Sequence, residues 1–219
     1  MNELSGFGGR VTSRDGTTVA YERYGDGDGP PLVLVGGAPG TADGRALAGL
    51  LARRFPVVAY GRRAHGGAER EVEDLAAVLA AAGPGAAVHG TGTGGALALA
   101  AAAAGLPVGP VSVYEPPRTD APLDRVSARV LVVDGGFSPA ETRRAARELA
   151  AALPRARHRT LTGQTHEVAP HVLAPVLAEF LAEEFRTEGF LTEGRGAAGS
   201  GLRARAGQRP ESGPGPGGS

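Results

Sequence analysis

Residues 86–105 read AAVHGTGTGGALALAAAAAG. A short apolar run, a cluster of glycines and an alanine-rich stretch follow one another, so the chain passes here from strand through a tight turn into helix. Two chemistries share that outline. Gly90, Gly92 and Gly95 satisfy G-x-G-x-x-G, the spacing that lets a backbone approach the pyrophosphate of NAD or FAD at a helix start, and Glu115 at the end of the next strand matches the acid that a ribose needs. Gly90 to Gly94 also satisfy G-x-S-x-G, with Gly92 standing where that motif has its serine nucleophile. Glycine is 36 of 219 residues, which makes a chance match to either pattern cheap, so the surroundings must decide. A dinucleotide fingerprint ordinarily lies on the first strand of its domain, whereas a hairpin, two strands and two helices precede this one.

Those preceding segments read clearly. GRVTSRDGTTVAYERYG (residues 9–25) places an Asp15-Gly16 turn between two alternating runs, the pattern of a β-hairpin. LVLV, ended by Gly36 and Gly37, and FPVVAYG are continuous apolar runs of the kind buried on both faces of a parallel sheet. Leu47, Leu50 and Leu51, then Val72, Leu75, Val78 and Leu79, repeat at helical spacing. Downstream, PVGPVSVYE, ARVLVVDGG and ARHRTLTG read as strands, and Ala145, Ala146, Leu149 and Leu153 mark a helix. A last helix carries Val172, Val176, Leu177 and Phe180, with Pro175 either kinking it or marking its first turn. Strand and helix alternate throughout, which predicts an α/β fold: a mostly parallel central sheet with an N-terminal hairpin and helices on both faces. Residues 1–185 form that one domain, and residues 186–219, rich in Gly, Pro and Arg without apolar period, form a disordered tail.

Composition excludes several function classes. The 23 basic residues are all arginine and balance 23 acids, so no field recruits nucleic acid or an anionic membrane. The absence of lysine removes a phosphate-binding P-loop lysine, a Schiff base and a serine–lysine dyad; the absence of cysteine removes thiol catalysis, disulfides and zinc ribbons. No basic segment with an apolar run opens the chain, and no stretch reaches the roughly 18 apolar residues of a membrane span, so a soluble cytoplasmic protein is expected. The Arg, Ala and Gly bias is that of a GC-rich bacterial genome.

LVLVGGAPG, YGRRAHGG, VHGTGTGGALALA, VYEPP, VLVVDGGFSP and LTGQTHEVAP, in that order after the hairpin, resemble the α/β-hydrolase fold of bacterial, actinobacterial-type hydrolases over residues 10–185. The resemblance implies a hydrolase related to small-molecule esterases, with a small carbonyl or ester compound as partner and no cofactor. It matches Gly92 to the nucleophile, Gly90, Gly94 and Gly95 to the small neighbours of a tight turn, and His166 to the general base. The backbone N–H of Thr93, with that of Gly37 or Ala38, matches the oxyanion hole. The acid stays open between Glu115 and Asp134, because the commonest position aligns with Ser138. Thr91 and Thr93 flank the apex with hydroxyls directed elsewhere, His89 is a strand residue beside the turn, and His65, His158 and His171 read as surface residues. YGRRAHGG departs from the family's D-x-R-G-x-G-x-S, keeping Gly61 and Ala64 at matching places. Only PPRTDAPLDRVSAR stands where relatives carry a helical cap. The implied protein is therefore a degenerate hydrolase with weak or no serine-type activity, since losing the nucleophile costs on the order of a million-fold in turnover. Two alternatives remain: a His–acid dyad that activates water on an ester or lactone, and a nucleotide-binding domain that uses the glycine loop.

Overall fold

The computed structural model describes residues 6–27, 29–37 and 44–187. The chain opens with β1 (Phe7–Thr12) and β2 (Thr18–Tyr24), paired antiparallel. Their turn is built as its residues require: the Thr17 N–H donates to Asp15 Oδ1 at 2.9 Å, and Gly16 takes φ +86°. There follow β3 (Leu32–Val35), α1 (Arg45–Leu51), β4 (Val57–Tyr60), α2 (Gly67–Ala82), β5 (Ala87–Thr91) and α3 (Thr93–Ala103). The second half adds β6 (Val111–Tyr114), a single 3-10 turn (Leu123–Arg125), β7 (Val130–Gly135), α4 (Ala140–Ala152), β8 (Ala156–Leu161) and α5 (Pro170–Thr187).

The eight strands form one sheet in the order β1-β2-β4-β3-β5-β6-β7-β8. Only the β1/β2 and β2/β4 pairings are antiparallel; every other neighbour is parallel. Strands such as LVLV are buried along their whole length because helices cover both faces. Val33, Val35, Val88 and Val113 face a core completed by Leu75 and Val78 of α2, Leu97 of α3 and Ala146 of α4. Leu32, Leu34, Ala87 and Leu131 face the other core, completed by Leu47 and Leu51 of α1 and Leu173, Leu177 and Leu181 of α5.

Arg63 ties the hairpin to this body. Its guanidinium binds the buried Asp74 of α2 on one side and Asp15 of the hairpin turn at 2.8 Å on the other. Two details differ from the sequence reading. Helix α5 starts at Pro170, so Pro175 sits inside it rather than in its first turn, where its ring removes one backbone donor. The same helix runs through Thr187, two residues past the expected domain end; the remaining tail lies outside the described residues. Among the described residues no helix is long and apolar enough to cross a membrane.

Gly90 and Gly94 are consumed by packing. A Cβ at Gly90 would lie 2.4 Å from the Gly94 carbonyl oxygen, and one at Gly94 would lie 2.5 Å from the carbonyl oxygens of Val35 and Gly36. Helix α3 thus presses its first turn directly on the backbone of β5 and of the segment leaving β3. Both glycines serve this contact between helix and strand, so their presence needs no bound nucleotide to explain it. Gly90→Ala and Gly94→Ala should each cost about 3 kcal/mol or more of stability, because the obstructing atoms are backbone. Gly8→Ala, whose new Cβ would meet nothing within 4 Å, should change it little. Urea denaturation of the three variants checks the contrast.

Candidate active site

Gly92 forms the apex between β5 and α3. Its φ of +50° and ψ of −126° lie where side chains are rarely found, and its N–H donates to the Tyr114 carbonyl at 2.9 Å. A Cβ built there would lie 3.9 Å from Cε1 of His166 and 3.9 Å from Cα of Gly37, in ordinary contact with both. The structure therefore brings Gly92, Gly37 and His166, residues far apart in the chain, to one point.

Of the two acids, it is Glu115 that pairs with His166. Nδ1 lies 3.0 Å from Oε2 of Glu115, and Oε1 of the same carboxylate accepts the Gly135 N–H at 2.7 Å. With Nδ1–H donated to the carboxylate, Nε2 keeps its lone pair and can take a proton. The Glu115 side chain is fully buried, whereas that of His166 is 69% exposed. Glu115 is also the one described non-glycine residue at positive φ, +44°. That conformation costs roughly 1 kcal/mol or more, and it is held by the Glu115 N–H bond to the Val133 carbonyl at 3.0 Å and by the carboxylate's two partners.

Asp134, the other acid considered, is turned to the opposite face of β7. It is fully buried, and its Oδ2 lies 3.0 Å from Nε2 of His158. The alternation of strand side chains explains this: Val133 faces the α5 side, so Asp134 faces the α4 side, as His158 does. His158 is thus a partnered residue rather than a plain surface one, a pairing that only the β7/β8 register could reveal. Ser138, at the commonest family position for the acid, is buried and its hydroxyl has no hydrogen-bond partner among the described residues.

Thr93 opens α3, so its N–H has no acceptor inside the helix. Its hydroxyl is committed to the Gly37 carbonyl. Ala38 lies outside the described residues. Sequence reasoning missed the residue that organises this corner. The Arg62 side chain, 6% exposed, directs Nη1 to Oγ1 of Thr93 at 2.7 Å and to the carbonyls of Gly36 and Gly37 at 3.1 and 3.3 Å. Its Nη2 grips both oxygens of Glu71 in α2 at 3.0 and 2.8 Å. In a trans peptide the N–H points opposite to the carbonyl, so drawing the Gly36 oxygen toward Arg62 turns the Gly37 N–H away from it. The only signal in the sequence was the departure of YGRRAHGG from its expected motif.

Tyr114 was missed too. Its hydroxyl donates to the Thr165 carbonyl at 2.5 Å and pins the loop that carries His166, while burial pushes the phenol up beyond the ordinary tyrosine range. Gln164 completes the anchor: its side-chain oxygen accepts the Ala169 N–H at 3.0 Å, and its carbonyl accepts that of Phe137 at 2.9 Å. Gly37, Gly92, Thr93, Glu115 and His166 line an open groove of about 1030 Å³. Only residues 115–129 join β6 to β7, with one 3-10 turn between them.

His89 is buried beside the apex, with Nδ1 2.9 Å from the Ser112 hydroxyl. Desolvation lowers its pKa to about 4, so it is neutral at pH 7. The folded value lies below the unfolded one, so the unfolded chain binds more protons and stability is lost as the pH falls from about 6.5 toward 4. Unfolding free energies from denaturant titrations should drop by on the order of 1.4 kcal/mol per pH unit in that window, and His89→Gln should flatten the slope. Arg62→Leu should destabilise by about 3 kcal/mol in the same assay, since it strands Glu71 and three oxygens. Arg62→Lys should recover only part, lacking the planar fork.

Comparison with solved structures finds the same fold in hydrolases. An alpha/beta hydrolase from Sphaerobacter thermophilus is 36% identical, with a TM-score of 0.72 over 79% of this chain and 100% of that one. A serine hydrolase involved in carbazole degradation aligns at 15% identity and TM-score 0.72, covering 82% and 100% of the two chains. An esterase from Rhodococcus sp. aligns at 17% identity and TM-score 0.69, covering 81% and 99%. No protein-family sequence model and no curated protein sequence matches the chain. With the fold, the order of its motifs and a relative at 36% identity agreeing, the chain belongs to the α/β hydrolases.

Proposed function

We propose that this protein recognises a small ester or carbonyl compound at the groove between Gly92 and His166, with weak or no serine-type turnover. The observation that carries the reading is the 3.9 Å between a Cβ built at Gly92 and Cε1 of His166. A hydroxyl on such a Cβ would sit within reach of the imidazole, which is the relation a nucleophile and its base require. Glycine supplies the apex without the oxygen.

The remaining roles follow from position. His166, oriented by Glu115, holds a proton-accepting nitrogen at the groove. The N–H groups of Thr93 and Gly37, steadied by Arg62, receive the carbonyl oxygen. Donors arranged in this way polarise a carbonyl whether or not a nucleophile stands opposite. The exposed imidazole and open groove leave water in the site, which weakens each of these interactions relative to a closed one.

Purified wild-type protein should turn over p-nitrophenyl acetate near the background rate and resist labelling by a fluorophosphonate. Gly92→Ser should gain covalent labelling and raise ester turnover by about 100-fold or more, and adding His166→Ala should abolish both gains. A folded Gly92→Ser protein that remains unlabelled would refute this arrangement of apex and base. Efficient wild-type turnover that survives loss of His166 would refute the whole reading.

A further inference from the structure

A second cavity, of about 660 Å³, lies on the α1 side of the sheet and shares Leu47 and Thr91 as walls with the groove at Gly92. Its floor is one row straight across five strands, set by register: Gly8 pairs with Glu22, Glu22 with Ala59, Ala59 with Leu34, and Leu34 with His89. Because the row holds Gly8 and Ala59, it leaves room where larger side chains would meet the helix layer. A Cβ at Gly8 would touch nothing within 4 Å, and Gly44, the residue before α1, stands over Leu34 and Ala59. The outer end carries the Glu22–Arg45 ion pair at 2.6 Å. Among the described residues this space is walled mainly by apolar atoms, and its size is that of an ordinary small-molecule site.

At the inner end stands His89, 2% exposed. Nδ1 meets the Ser112 hydroxyl, while Nε2 has no partner among the described residues. A buried ring nitrogen left unpaired is costly, and an uncharged acceptor or hydroxyl on a ligand would satisfy it. Thr91 continues the same face of β5 from His89 toward Gly92, and three residues of strand span about 10 Å.

We infer that this cavity receives the apolar arm of the same ligand whose carbonyl sits at Gly92, and that His89 Nε2 meets an uncharged oxygen borne on that arm. The inference rests on the preceding functional reading and names its substrate class: a medium-length ester or ketone with a second neutral oxygen several carbons away. An uncharged arm fits because, among the described residues lining the cavity, the charged side chains Arg10, Glu22 and Arg45 stand at its outer strands and helix and none stands beside His89 on β5.

The test is binding to the full-length wild-type chain, labelled with 15N-histidine, of methyl acetate and of methyl 7-oxooctanoate. The longer ester should bind about tenfold tighter or better and shift the ring-nitrogen signals of both His89 and His166. Ala59→Leu, which fills the floor, should reduce its affinity to within about threefold of that of methyl acetate, and Thr91→Leu, which fills the path between His89 and Gly92, should act in the same direction should Ala59→Leu fail to fold. A shift at His166 with none at His89, or affinity unaffected by both fillings, overturns the cavity inference and leaves the functional reading standing. A shift at His89 with none at His166 overturns the shared ligand, as does the absence of any shift. Hydrolysis of methyl acetate that persists in His166→Ala refutes the functional reading alone.

Discussion

The fold turns on a contact between backbones. Helix α3 begins so close to β5 that its first turn touches the carbonyl of Gly94 to Gly90 and the carbonyls of Val35 and Gly36 to Gly94, with no room for a single methyl between them. This closeness forces the chain to reverse within one residue, and Gly92 takes the positive φ that such a reversal demands. Everything proposed about function depends on it, because the same reversal lifts the apex out of the sheet toward Gly37 and His166.

Around that apex the protein has spent buried charge on position. Arg62 links the segment leaving β3, the start of α3 and the side of α2 through one guanidinium, while its neighbour Arg63 links α2 to the N-terminal hairpin. Adjacent residues just after β4 thus both grip α2, one tying it to the start of α3 and the other to the hairpin. Buried ion pairs of this kind contribute little net stability, since desolvation offsets their attraction, but removing one member leaves the other stranded. Their effect here is to fix which way a few peptide groups point.

The histidine is held differently. Its loop hangs from a tyrosine hydroxyl and a glutamine amide, and its imidazole leans on a carboxylate that reaches across from the end of β6. Glu115 accepts a strained backbone to do so, a conformation that persists because Val133, Gly135 and His166 all bind it. A buried carboxylate and its hydrogen-bonded histidine thereby stand beside an apex that carries no side chain of its own.

Much of this was written in the sequence. Continuous apolar runs separated by helical periods fixed the alternation of strands and helices, and the Asp15-Gly16 turn fixed the hairpin, because side-chain period and turn chemistry are local properties. The order of motifs pointed to Gly92 and His166 together, and in the structure a Cβ built at Gly92 lies 3.9 Å from His166 Cε1. What remained open was whatever depends on register and on close approach between distant segments. Glu115 and Asp134 both end strands with a carboxylate, and only the facing of β6 and β7 gives one to His166 and the other to His158. The glycines at 90 to 95 fit one motif as letters and a second with one change, and only the approach of β3 and β5 to α3 shows that Gly90 and Gly94 yield space to backbone. Arg62 and Tyr114 had no local signature, since their partners lie on other strands and loops; tertiary structure alone could assign them.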